Sequence, residues 1–303
     1  MKFYKNDSST ELAESPLRRI ISDFSNSKVA IIALLIVISL SVMSIFAPFF
    51  TYQNPYDLTQ LDIMDSVLHP GSQNIQETLY YWLGTDSQGR DVFSAIIYGT
   101  RTSLLVSLSS TAIALVLGIS MGLIAAYVGG RIDNLIMRIV DLQLSFPAIL
   151  IALILLAVLG NGIDKVIVAL VAVQWAYYAR TIRSAALVER RKEYIEAASS
   201  LGLSSYRIVF GHLLPNSLPP LIVVATVQVA HAISLEATLS FLGVGTPVTE
   251  PSLGRLIKNG FDYMLSGHYW ISFFPGIALL MLVVSINLVG DQLRDVLNPR
   301  LQK

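Results

Sequence analysis

Six stretches of this chain run for 14 to 26 residues without a charged side chain. A helix that crosses a bilayer needs about 20 predominantly apolar residues, so stretches of this kind are typical of transmembrane spans. Hydrophobic residues make up 53% of the chain and charged residues 14%, against roughly a quarter charged in soluble domains. The stretches are Val29–Phe46, Ser103–Val128, Leu142–Gly162, Val166–Ala179, Leu218–Leu235 and Tyr269–Gly290. We therefore predict an all-α membrane protein with six transmembrane helices.

The positions of lysine and arginine predict the orientation of these spans. The fourth stretch is short, and we extend it to Ile182 because Arg180 can snorkel to the interface. With the N-terminus in the cytoplasm, 16 of the 21 basic residues fall on the cytoplasmic side and 5 on the external side. The polar lead-in of 28 residues and the full-length run after it favour a retained anchor over a cleaved signal peptide.

This topology divides the chain into five parts. They are a cytoplasmic segment (1–28), a first transmembrane helix (29–50), an external loop (51–100), a five-helix core (101–294) that contains a cytoplasmic loop at 183–216, and a cytoplasmic tail (295–303).

Several kinds of chemistry are missing from the sequence. The chain has no cysteine, which excludes disulfides and thiolate sites, and its formal net charge of zero gives no reason to expect nucleic acid as a partner. No phosphate-binding G-x-x-x-x-G-K-[ST], no H-E-x-x-H and no G-x-S-x-G occurs. The histidines fall in four different segments, which favours isolated structural roles over a metal site: His69, His212, His231 and His268. We predict no catalytic site, no cofactor and no metal.

The predicted spans contain polar residues with two possible roles, and small residues at a regular spacing. Gln228 and His231 lie within the fifth span and Glu236 directly follows it. Such groups either face a water-filled translocation path or make structural hydrogen bonds between helices, and the sequence favours neither. Gly118 and Gly122, with Ala126 one turn further on, have the spacing of a close helix–helix seam.

The segment Arg190–Pro220 predicts two short helices joined by a tight turn. Lys192–Leu201 contains good helix formers, and Gly202 is suited to the left-handed residue that ends a helix. Ser204 or Ser205 can cap a second short helix that runs to Phe210 or Leu214. We expect Pro215, Pro219 and Pro220 to stop that helix and start the next span. The apolar Ile195, Leu201, Ile208 and Val209 then need a cover, which either a partner protein or lipid could supply.

The same segment resembles the EAA loop of bacterial ABC importer permeases. The likeness lies in Glu196-Ala197-Ala198, in Gly202 four residues later, and in the run from His212 to Pro215. Histidine at 212, followed by Leu-Leu-Pro-Asn, is similar to the C-type subunit of dipeptide and oligopeptide importers. The segments Leu83–Val106, Gly129–Leu155, Glu236–Pro247 and Phe273–Leu301 resemble the same branch.

This resemblance implies a type I ABC importer permease in the bacterial inner membrane, and the bias of basic residues predicts that both termini are cytoplasmic. It implies a coupling role for Glu196, Ala197, Ala198, Gly202, Leu203, Ser204, His212 and Pro215. The implied partners are a homologous B-type permease, two cytoplasmic ATPase subunits that hydrolyse ATP, and an extracytoplasmic substrate-binding protein. Peptides are the implied substrates, with nickel or another small solute as the alternative. A self-powered secondary transporter is a less favoured alternative, because it would need paired ionisable residues near the middle of the membrane and this chain has very few. A membrane enzyme would need a convergent catalytic set, and no motif for one occurs.

Overall fold

The computed structural model describes residues 16–74, 76–247 and 249–297, so the outer parts of the predicted N-terminal segment and tail lie outside the described residues. Its helices are Pro16–Ser25 (α1), Lys28–Ile45 (α2), Ala47–Phe50 (α3), Val92–Val128 (α4), Gly130–Leu144 (α5), Ala148–Leu159 (α6), Ile163–Arg190 (α7), Glu193–Ser200 (α8), Ser205–Ile208 (α9), Leu214–Phe241 (α10), Leu253–Phe261 (α11) and Trp270–Leu297 (α12). A two-stranded antiparallel hairpin pairs Ser72–Gln73 (β1) with Tyr80–Tyr81 (β2), and Ser72 lies opposite Tyr81.

Four helical segments among the described residues are long and apolar enough to cross a membrane. They are α2, α4, the continuous segment Ser205–Phe241, and α12. Helices α5 and α6 would form a fifth span together, but they meet at an angle of 93°. The prediction of one uninterrupted span over Leu142–Gly162 is therefore wrong, because Pro147 follows the break after α5. Helix α6 alone, at 12 residues, reaches only about 18 Å of a core about 30 Å thick.

Helix α7 contains the predicted fourth span and is not apolar enough to pass the same test. Two of its polar side chains, Gln174 and Tyr178, are fully enclosed, and Gln174 Oε1 accepts a hydrogen bond from Thr111 Oγ1 at 3.2 Å. These residues and the charged residues near both ends of α7 lower its mean hydropathy. The six-span prediction is not confirmed by length and apolarity.

Helix α4 begins at Val92, so the last nine residues of the predicted external loop (51–100) belong to this helix. Asp91 caps the helix: one of its carboxylate oxygens accepts from the Ser94 backbone N–H at 2.9 Å and from the Ser94 hydroxyl at 2.5 Å. Arg101, whose charge delayed the predicted start, lies on the exposed face of α4.

Helices α4 and α7 meet through the predicted small-residue seam. A Cβ placed on Gly118 would lie 2.4 Å from Tyr178 Cβ, and one on Gly122 would lie 2.3 Å from Ile182 Cγ2. The third seam residue, Ala126, is also buried. The two backbones can approach this closely only because neither glycine has a side chain, which confirms the predicted seam.

The bundle has two distinct ends. At one end, called here the α11 end, Trp270 at the start of α12 packs against Val92 and Ile96 at the start of α4. At the other, called the α8–α9 end, Leu221 near the start of α10 packs with Leu123 of α4 and Ile182 of α7. The beginning of α2 lies beside the middle turns of α12, at residues 280–288.

The expectation that prolines separate the second short helix from the next span is wrong. Helix α9 passes through a π-helical turn at Val209–Leu213 directly into α10. Pro215 stands in the first turn of α10, and Pro219 and Pro220 lie within the same helix. Proline at 215 lacks the N–H that would bond a carbonyl of the preceding turn, and the wide π turn directly before it provides room for the ring.

Candidate functional site

The turn between α8 and α9 forms as its sequence predicts. Gly202 has a φ of +76°, the left-handed region that favours glycine. Its N–H donates to the Ser199 carbonyl at 3.0 Å, and the Leu203 N–H donates to the Ala198 carbonyl at 3.2 Å. Ser204 occupies the cap position of α9, but its side chain makes no capping hydrogen bond.

Two of the four apolar residues in this connection are covered by the chain itself. Ile195 and Ile208 are 5% and 4% exposed and pack together with Leu213 and the half-buried Tyr127 of α4. The expectation that these two isoleucines require a cover from outside is therefore wrong. Their burial joins α8 and α9 to the body of the bundle.

Three large apolar side chains remain on the outside of the same turn. Leu201 is 80% exposed, Tyr206 73% and Phe210 51%, and the rings of Tyr206 and Phe210 lie 4.6 Å apart. We call these residues the apolar patch. Tyr206 and Phe210 were not among the predicted site residues, although their i, i+4 spacing places both on one helical face.

Hydrogen bonds fix the connection to three helices. The guanidinium of Arg190 donates to the carbonyls of Ala126 and Tyr127, at 2.9 and 3.0 Å, and so caps the end of α4. The Tyr194 hydroxyl donates to the Glu189 carboxylate and accepts from the Asn216 side chain at 3.0 Å. These bonds tie α8 to the last turn of α7 and the first turn of α10, so the turn is held rigidly.

The loop residues predicted to have a coupling role differ in how exposed they are. Exposed members are Glu196, Ala197, Gly202, Ser204 and Pro215; Ala198 is buried, and Leu203 and His212 are half-buried. The ring of His212 stacks edge-on against Tyr194 at 6.2 Å. Only the exposed members, together with the apolar patch, are available to a partner.

The three residues predicted to line a translocation path, Gln228, His231 and Glu236, all lie in α10 but have different surroundings. Gln228 is 7% exposed, and its Oε1 has no hydrogen-bond partner. His231 lies on the exposed face of the helix. Glu236 is fully enclosed; its two oxygens accept hydrogen bonds from the hydroxyls of Ser103, at 2.8 Å, and Ser240, at 2.7 Å. Glu236 is thus enclosed by its own chain, whereas His231 lies in an open position.

Glu236 instead belongs to a buried network at the α11 end. The Ser103 hydroxyl that donates to it also accepts from the Leu253 N–H, the first residue of α11, at 3.3 Å. Thr246 lies within 3.3 Å of the Ser240 hydroxyl and donates to Ser252 at 3.2 Å. We call this set the serine network; its hydrogen bonds join α4, α10 and α11.

The connection between α3 and α4 is ordered and packs on α12. The Trp270 indole N–H donates to the Thr85 carbonyl at 3.2 Å, and the Thr85 hydroxyl donates to the Asp65 carbonyl at 2.6 Å. Burial raises the pKa of Asp86 in this connection, although the backbone N–H groups of Arg90 and Gln88 oppose the effect.

Two histidines that the sequence separates meet in this region. The rings of His69 and His268 lie 6.1 Å apart, which corrects the expectation that all four are isolated. Within the described ranges, no three histidine or acidic side chains are grouped as a metal site would require.

Comparisons with known proteins cover nearly the whole chain. Residues 114–303 match the family described as the binding-protein-dependent transport system inner membrane component, and residues 15–70 match the N-terminal transmembrane domain of oligopeptide transport permease C. The chain is 37% identical to the dipeptide transport system permease protein DppC of Alkalihalophilus pseudofirmus, over 96% of this chain and 92% of that protein. It is 33% identical to the oligopeptide transport system permease protein OppC of Bacillus subtilis, over 92% and 88%.

A solved structure shows the same fold. An inward-facing form of the MetNI methionine ABC transporter aligns with a TM-score of 0.55 at 22% identity, over 67% of this chain and 96% of that one. A second crystal form of that transporter gives the same TM-score. At this identity the likeness concerns the fold alone.

Proposed function

The chain belongs to the family of inner membrane components of binding-protein-dependent transport systems, and from this we propose that it is a C-type permease subunit of an ABC importer for di- and oligopeptides. The names of the curated relatives support peptides as the substrate class. Nickel or another small solute is the less favoured alternative, since these curated relatives are named as dipeptide and oligopeptide permeases.

The apolar patch carries the proposal of a coupling role. A preformed turn at the end of the bundle presents Leu201, Tyr206 and Phe210 to the outside, although the chain covers Ile195 and Ile208 of the same connection. Burying each exposed side chain in a partner would contribute about 1.5–3 kcal/mol. We assign this surface, with Glu196, Ala197, Gly202 and Ser204 beside it, to docking in a cleft of a cytoplasmic ATPase subunit.

The continuity of α9 and α10 supports a mechanism for the coupling. Because the helix passes from the patch through the π turn without a break, a displacement of α9 by the ATPase moves α10 as well. His231 lies on the exposed face of α10, where we place a path shared with a homologous B-type permease. Gln228 is the second candidate for this path.

The remaining topology is part of the same proposal. We count α7 as a span because it lies between α4 and α10 in the interior, and the bent pair α5–α6 as another, which gives six. The bias of basic residues places the α8–α9 end in the cytoplasm of a bacterium and the α11 end outside, where a substrate-binding protein would deliver the peptide.

Site-directed crosslinking tests the docking surface, and the absence of native cysteine makes it direct. Ser204→Cys should crosslink to a cysteine in the ATPase cleft, with a yield that changes on ATP binding. Thr59→Cys, exposed at the opposite end, is the matched control and should give no product. Equal yields at both positions, or a product from Thr59→Cys alone, would contradict the assignment.

A further inference from the structure

Two basic side chains of α11 converge on the turn that follows α10. The position that a Cβ would take on Gly243 lies 2.3 Å from Lys258 Nζ and 3.9 Å from Arg255 Nη1. Gly243 has a φ of +86° and no side chain, so the Lys258 ammonium can lie directly against its backbone, beside the Arg255 guanidinium. An ammonium and a guanidinium therefore face one point.

Neither cation has a counter-charge within the part of the chain that the structure describes. The ion pairs found there lie elsewhere, and no carboxylate approaches Arg255 or Lys258 to within 4 Å. Both side chains are half-buried, and Arg255 Nε is buried without a hydrogen-bond partner. Unpaired charge that is partly removed from water is costly, so this arrangement favours an anion from outside the chain.

Helix α11, which carries these side chains, is held firmly by its neighbours. The serine network holds its first turn, and a Cβ on Gly254 would lie only 2.1 Å from the Ala237 carbonyl of α10. The Ser272 hydroxyl of α12 donates to the Ile257 carbonyl at 3.0 Å, between the two cationic residues. The cations are thus preorganised, which lowers the entropic cost of binding.

We propose that Arg255 and Lys258 form a carboxylate-binding subsite at the external mouth of the translocation path, which holds the terminal carboxylate of the entering peptide. The subsite rests on the proposed function. A carboxylate accepts two hydrogen bonds from a guanidinium and a further one from the ammonium. Helix α10 leads from this turn to His231, about 18 Å along its axis.

Chemical protection of Lys258 tests the subsite directly. The assembled transporter, in nanodiscs of phosphatidylcholine, is acetylated with an amine-specific reagent in rising concentrations of dialanine or of its C-terminal amide. Lys165, also half-buried and at the same end of the bundle, is the internal control. Mass spectrometry should show protection of Lys258 but not of Lys165 by the free acid, and the amide should require at least about tenfold more.

Variants of Arg255 and a change of lipid test the subsite further. Arg255→Gln should raise the concentration for half-protection about tenfold, and Arg255→Lys should restore part of the effect. Equal protection by acid and amide, or an unchanged response in Arg255→Gln, would overturn the subsite. So would protection of Lys258 by phosphatidylglycerol in the absence of peptide, which would identify a lipid headgroup as the anion.

Uptake separates the two proposals. Proteoliposomes with the complete wild-type transporter, its binding protein and ATP should accumulate labelled dipeptide. Absence of uptake would reject the peptide substrate, whereas uptake without selective protection of Lys258 would reject the subsite alone.

Discussion

Position 202 offers a test in which backbone conformation is the only variable. Gly202 has a φ of +76°, and no atom lies within 4 Å of the point that a Cβ would occupy. Alanine there meets no clash and carries only the cost of the left-handed conformation, about 1–2 kcal/mol. The ratio of formed to opened turn should then fall roughly 5- to 30-fold. Asparagine, which tolerates this conformation, should cost less than alanine, and β-branched valine should cost more.

The assay is substrate-stimulated ATP hydrolysis by the assembled transporter, together with retention of the ATPase during purification. Activity should follow the order glycine, asparagine, alanine, valine at position 202. Gly122→Ala and Gly122→Asn are the control pair, because Gly122 is helical and excludes side chains by contact with Ile182. There asparagine should be worse than alanine. If alanine equals glycine at 202, or asparagine is as damaging as valine, the turn does not have to be preformed for coupling.

Three further predictions concern the interior of the bundle. Gly122→Ala should lower the melting temperature of the detergent-solubilised protein by several degrees, whereas Gly276→Ala, which meets no atom within 4 Å, should not; equal melting would refute the seam. Glu236→Leu should destabilise the protein by about 1–3 kcal/mol because it strands two serine hydroxyls, and Glu236→Gln by less, which chemical denaturation would measure; similar losses would count against the serine network. His231→Ala should reduce peptide uptake at unchanged melting temperature; a loss of stability with normal uptake would move His231 away from the path.

Local features of the sequence were sufficient to predict most spans and the turn at Gly202. Uncharged runs predict helices because the bilayer demands about 20 apolar residues whatever the neighbours are. The turn at Gly202 is equally local: few residues other than glycine adopt a positive φ without strain, so the spacing after Glu196 predicts the end of α8. Both features are local: they depend on residues within a few helical turns of each other and on whether lipid or water surrounds the chain.

Only the tertiary structure shows which side of each helix faces protein and which distant segments of the chain are in contact. A hydropathy average counts Gln174 and Tyr178 against a span, although both are enclosed between helices, so α7 resembles a poor span and is an interior helix. The same average cannot show that Glu236 is enclosed by Ser103, 133 residues earlier, while His231 of the same helix is exposed. Which face of a helix meets protein depends on how the helices rotate and pack against one another. This rotation sets Arg255 and Lys258 against Gly243, and no spacing rule in the sequence contains it.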